Sequence, residues 1–113
     1  MATKKKGRIA YEKSSGNVFA DLGLPNPEQE LLKARLTLQI YRIIRARNLT
    51  QVQAGNIIGI AQPQVSLLMR NRSGNFSVER LMTFLTALDQ DVEIVIRKKP
   101  RSRAAARISV VAA

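Results

Sequence analysis

The chain of 113 residues is 45% hydrophobic, enough for one core and too short for two domains of ordinary size. A formal charge of +11 points to a polyanionic partner. The absence of cysteine and histidine excludes a disulfide framework, thiolate or imidazole metal sites, and Cys- or His-based catalysis.

The charge lies mostly at the two ends. Residues 1–13 hold Lys4, Lys5, Lys6, Arg8 and Lys13 against Glu12, while Arg97, Lys98, Lys99, Arg101, Arg103 and Arg107 face no acid in residues 97–107. Between them, residues 14–96 are nearly neutral, so the excess belongs to tails that would raise affinity for a polyanion by counterion release. The expected organisation is a flexible basic arm over 1–17, a folded domain over 18–97 and a basic flexible tail over 98–113. No apolar run suits a signal peptide or a membrane span, and a cytoplasmic protein is expected.

In chain order, Val18, Phe19, Leu22 and Leu24 form an apolar cluster that suggests a short helical turn. On the residues alone it either packs onto the domain's own core or folds onto a partner. Pro25-Asn26-Pro27 breaks the chain. From Glu28 to Arg47, the spacing of Leu32, Leu36, Ile40 and Ile43 predicts an amphipathic helix, with Glu28 and Glu30 at the positive end of its dipole and Arg45 and Arg47 at the other. Thr50 and Gln53 then have the spacing of a capping box for a helix starting at Gln51. Gly59 ends that helix, and a second runs from Gln62 to about Arg70 with Pro63 in its first turn. Gly55 faces inward, so that the two helices can approach closely. Ser73-Gly74-Asn75 is a loop, and Ser77 caps a further helix to about Leu88, with Leu81, Phe84 or Leu85, and Leu88 facing inward. The β-branched run over 92–96 predicts one strand.

Two short helices joined at a glycine turn form a helix-turn-helix, whose second helix enters the DNA major groove. Gln62 and Gln64 stand where such helices meet base edges, glutamine can bond adenine through N6 and N7, and Leu67, one turn on, can touch a thymine methyl. Val65 and Leu68 read as core. Gln51, Arg70, Asn71, Arg72 and Ser73 are candidates for phosphate contacts that set register. A lone strand exposes an unpaired edge, so Val92, Ile94 and Ile96 suggest pairing with a second copy. Pairing with Ile9-Ala10-Tyr11 or with the tail at 108–111 is the alternative.

With Leu49-Thr50-Gln51, Gly55, Ile58-Gly59-Ile60 and Val65-Ser66 in place, the chain resembles the Cro/repressor, or Xre, class of helix-turn-helix regulators. The segments SGNVFADLGLPNPEQELLKA and FSVERLMTFLTALDQDVEIVIR look like the HigA-like antitoxin branch of that class, so the resemblance spans roughly residues 15–97. It implies an all-α, lambda-repressor-like bundle with one additional C-terminal β-strand. It also implies a homodimer that represses its own operon and neutralises a RelE/HigB-like mRNA-cleaving toxin, held by Val18, Phe19, Leu22 and Leu24. Many Xre proteins carry Arg and Glu in the second helix where this chain has Leu67 and Met69, so those contacts are not carried over. The alternative within the class is a stand-alone phage-type repressor. No cofactor or metal is expected. An enzyme is disfavoured, because the few carboxylates scatter over helix ends and turns and no nucleotide loop is present.

Overall fold

The computed structural model describes residues 27–71 and 76–112. The cluster at Val18, Phe19, Leu22 and Leu24, and the contact candidates Arg72 and Ser73, lie outside the described residues. Four helices occur in the described part: α1 (Pro27–Ala46), α2 (Gln51–Ile58), α3 (Gln62–Met69) and α4 (Val78–Ala87).

Each helix begins and ends where local chemistry requires it. Glu28 and Glu30 occupy the first turn of α1 and Arg45 the last, complementing its dipole. At α2, the Thr50 hydroxyl accepts from the Gln53 N–H at 3.1 Å while the Gln53 side chain accepts from the Thr50 N–H at 2.9 Å, completing the expected capping box. Gly59 terminates α2 at φ 81°, donating its N–H to the Gly55 carbonyl. Ser77 caps α4 by accepting from Arg80 N–H at 3.1 Å. Left-handed residues also follow the other three helices, at Asn48 (φ 53°), Asn71 (φ 57°) and Asp89 (φ 65°). Asn and Asp visit that region more readily than other side chains, because they can hydrogen-bond locally.

The core forms where the faces of these helices meet. α1 packs chiefly against α4, and α2 against α3. Leu36, Ile40 and Ile44 from α1 are buried with Ala54 and Ile58 from α2, Val65 and Leu68 from α3, and Leu81, Phe84 and Leu85 from α4. Phe76 and Leu88 close the two ends of α4. Val65 and Leu68 are fully buried, as expected. On α1 the buried stripe ends on Ile44, and the expected Ile43 is only partly covered. The four-residue row of Leu36, Ile40 and Ile44 keeps one face turned to α4, and Ile43 falls to its side. Thr37 is the fully buried polar side chain of α1; its hydroxyl donates to the Lys33 carbonyl at 2.7 Å. Arg47 ties the ends of α1 and α4 together, its guanidinium donating to the Leu88 carbonyl at 3.3 Å.

The expected C-terminal strand is absent among the described residues. Residues 91–98 have no regular secondary structure and are all exposed, with Val92 at 37%, Ile94 at 73% and Ile96 at 92% of full exposure. The physical reason is that a strand exists only as half of a ladder, and within one chain no described segment supplies the other half. The suggested tail partner at 108–111 forms no ladder either, and Ile9-Ala10-Tyr11 lies outside the described residues. The chain instead turns at Pro100, where Lys99 Nζ donates to the carbonyls of Pro100 (3.2 Å) and Arg103 (2.7 Å). Val110 then returns to pack against the core.

Candidate nucleic-acid interface

The geometry of the α2–α3 pair rests on Gly55. A Cβ built on this buried glycine would lie 2.6 Å from the Ile60 carbonyl oxygen and 3.3 Å from Val65 Cγ2. The Gly55 carbonyl also accepts from both Gly59 N–H (2.8 Å) and Ile60 N–H (3.1 Å), so the turn folds directly onto the helix that it ends. A side chain at this position would occupy the space of the turn itself.

With Val65 and Leu68 turned inward, α3 presents Pro63, Ser66, Leu67 and Arg70 on its outward side. Gln62 and Gln64 flank that surface. Two helical residues apart means a rotation of roughly 200°, so the glutamines project to opposite sides of the helix and do equivalent work only by reaching around it. Gln62 is exposed and Gln64 half-buried.

Their hydrogen bonds separate them further. Gln64 Oε1 accepts from the Ala61 N–H at 3.3 Å, forming one half of a capping box at the start of α3, while the Ala61 side chain has no acceptor for the other half. Gln62 Nε2 instead donates to Gln51 Oε1, bridging the first residues of the two motif helices. An amide nitrogen carries two hydrogens, so Gln62 keeps one donor and its own carbonyl oxygen free while its plane is held by Gln51. That is the donor and acceptor pair that adenine N7 and N6 require. Gln51, expected to touch phosphate, is thus also the residue that orients Gln62. Leu67 is half-buried, with part of its side chain still accessible. Arg70 caps the end of α3 and is exposed, as is Asn71, whose backbone makes the left-handed turn away from the helix. Arg70 and Asn71 also border a shallow groove against Leu38 and Tyr41 of α1.

Two features were missed in reading the residues. From Asn48 to Val78 the chain holds no Asp or Glu, so the whole motif offers amides, hydroxyls and arginines and nothing that repels phosphate. The acidic residues of the described part lie at the start of α1, at Glu79, and after α4. The second feature is Arg80 in the first turn of α4. Its guanidinium lies 5.2 Å from the Phe76 ring centre and 5.4 Å from that of Phe84, and the two rings meet edge to face at 5.4 Å. The signal in the residues is Phe76, Arg80 and Phe84 at four-residue spacing: Arg80 and Phe84 share one face of α4, and Phe76 stands just before its Ser77 cap.

Two short helices locked at a glycine turn, the second with Val65 and Leu68 buried and its opposite side open, define a helix-turn-helix domain. A family model described as a helix-turn-helix domain matches residues 18–97. A solved structure that carries the name of an XRE family transcriptional regulator is 58% identical, the match covering 79% of this chain and 100% of that chain at a TM-score of 0.75. No curated protein matches the chain. The chain belongs to the Xre family of helix-turn-helix proteins. The resemblance stated from Leu49-Thr50-Gln51, Gly55 and Ile58-Gly59-Ile60 therefore holds for the Xre class.

Proposed function

We propose that this chain is a sequence-specific operator-binding repressor in which α3 reads the major groove. Membership of the Xre family makes it a DNA-binding transcription regulator of the helix-turn-helix kind. No helix in the described part is long and apolar enough to cross a membrane. The observation that carries the reading is the Gln51–Gln62 bridge at the base of α3, on a motif without carboxylates. Gln62 takes a base edge, Gln64 and Leu67 assist from its flank, and Gln51, Arg70, Asn71, Arg72 and Ser73 hold phosphates. Arg80 joins the phosphate set, its guanidinium steadied by two rings. The basic tails add affinity without sequence preference.

Replacing Gln62 by alanine should cost roughly 1–3 kcal/mol on operator DNA and leave binding to random duplex almost unchanged. Gln64→Ala should cost less, since its oxygen already serves Ala61. Titrations of both DNAs at matched salt give the comparison. Equal losses on the two DNAs for Gln62→Ala would remove direct readout by this residue.

The finer reading, supported by the resemblance of the flanking segments, is an antitoxin that neutralises a RelE/HigB-like toxin and autoregulates its operon as a homodimer. The toxin surface in this reading is the cluster at Val18, Phe19, Leu22 and Leu24, distant in sequence from α3. The family match begins at Val18, so these residues also belong to the matched domain. A chain lacking residues 1–24 should keep operator binding and lose growth rescue when co-expressed with the toxin encoded beside it. Rescue by a folded truncated chain would move the toxin surface elsewhere. An unfolded truncated chain would return Phe19 and Leu22 to the core. The homodimer is assigned to residues 92–96, through strand pairing of Val92, Ile94 and Ile96 with a second copy.

A further inference from the structure

We infer that residues 91–97 pair antiparallel with the same residues of a second copy in one particular register, with Ile94 opposite itself. The inference rests on the strand-mediated homodimer proposed above and adds which residues face each other. Residues 91–98 are exposed, and among the described residues their backbone groups take part in no backbone hydrogen bond. An apolar run with free donors and acceptors on both sides is a template for another strand. What specifies a second copy as that strand is the order of charges around it: Asp89, Gln90 and Asp91 precede the run, and Arg97, Lys98 and Lys99 follow it. Turned end for end, this segment is its own electrostatic complement.

The possible registers can be enumerated. A two-fold axis perpendicular to a two-stranded ribbon sets one residue against its own copy, and all other pairs lie symmetrically about it. With Ile94 on the axis, Val92 faces Ile96 of the second copy and Ile96 faces its Val92, so one side of the ribbon is wholly apolar. On the other side Glu93 faces Val95, and Asp91 faces Arg97, at both ends of the ribbon. Each shift either opposes like charges or breaks the apolar side. Centring on Glu93 sets two carboxylates against each other, and centring on Val92 sets Asp91 against Glu93, both unfavourable. Centring on Val95 pairs Glu93 with Arg97 but places Val92 against Lys98 at both ends, and centring on Ile96 places Ile94 against Lys98, so neither keeps one side wholly apolar. Pairing Asp91 in the first of these, or Glu93 in the second, also requires extended chain as far as Lys99. That residue is already folded into the Pro100 turn, with its ammonium held by the Pro100 and Arg103 carbonyls, and Pro100 has no N–H to continue a ladder. The ribbon therefore ends at about Arg97, the length that the Ile94 register needs.

The chain contains no cysteine, so single introduced thiols report on the register without interference. Residues directly opposite on paired strands bring their Cβ atoms within about 4.5–5.5 Å, close to disulfide range, whereas diagonal neighbours stay roughly 7–8 Å apart. Under mild oxidation the full-length Ile94→Cys variant should form a covalent dimer at least about tenfold faster than Glu93→Cys or Val95→Cys. The Val92→Cys/Ile96→Cys double variant should cross-link where either single variant does not. Separately, Asp91→Arg or Arg97→Asp alone should weaken dimerisation by roughly tenfold, and the two together should restore it. Sedimentation of the unmodified chain tests the underlying dimer. A dimeric chain that cross-links fastest at position 93 or 95, or at none of the three, would overturn the register while leaving the dimer standing. A monomeric chain at the cross-linking concentration would remove both.

Discussion

Gly55→Ala should lower stability by about 2 kcal/mol and abolish operator binding, the larger of the two effects for function. Alanine is the better helix former and would ordinarily gain up to ~1 kcal/mol at a mid-helix glycine. Here its Cβ would lie 2.6 Å from the Ile60 carbonyl oxygen, a backbone atom of the turn that cannot rotate aside. The conflict can be relieved only by moving α3 away from α2, which carries Gln62 away from Gln51 and tilts the outward side of α3. Over a domain of this size the loss corresponds to a fall in Tm of roughly 8–16 °C. A control at Gly59 separates space from backbone conformation. No atom lies near its missing Cβ, but its φ is 81°, so Gly59→Asn should be better tolerated than Gly59→Ala. A Gly55→Ala protein that melts and binds like the wild type would show that the two helices are not held by their close approach.

Phe84→Ala should cost about 3–5 kcal/mol, enough to unfold a large share of a marginally stable domain. Phe84 is 3% exposed and supports the edge-to-face contact with Phe76, so truncation leaves a cavity where α4 joins the loop that follows α3. Thermal or urea denaturation reads this directly. Arg80→Ala provides the functional contrast. Its guanidinium stacks on both rings but its side chain is exposed, so its loss should cost roughly 0.5–1 kcal/mol of stability. As a phosphate contact it should nevertheless weaken binding to operator and random DNA alike and reduce the salt slope by about one. A Phe84→Ala chain with unchanged denaturation would show that this corner of the core collapses without loss. An Arg80→Ala chain with an unchanged salt slope would return Arg80 to a purely structural role.

The candidate interface was only partly legible in the residues. Gln62 and Gln64 look equivalent in sequence, both glutamines in the first turn of the same helix. Their difference comes from neighbours eleven and three residues away: Gln51, which reaches Gln62 across the turn, and Ala61, whose backbone N–H engages Gln64. Similarly, Asn71 reads as a phosphate contact from its place after the second motif helix, while its backbone shows an independent reason for asparagine at the end of α3.

Features that depend on short-range chemistry were determined by the sequence itself. The Thr50–Gln53 box, the Gly59 and Ser77 caps, and the inward faces of α3 and α4 each depend on residues within about one or two turns of each other, where helix geometry fixes what meets what. Tertiary structure decided what depends on distant partners. It turned Ile44 rather than Ile43 into the core, brought Gln51 to Gln62, and placed Arg80 over two rings. It also left residues 92–96 without a ladder, because β-propensity describes how a segment fits a sheet and cannot supply the other strand.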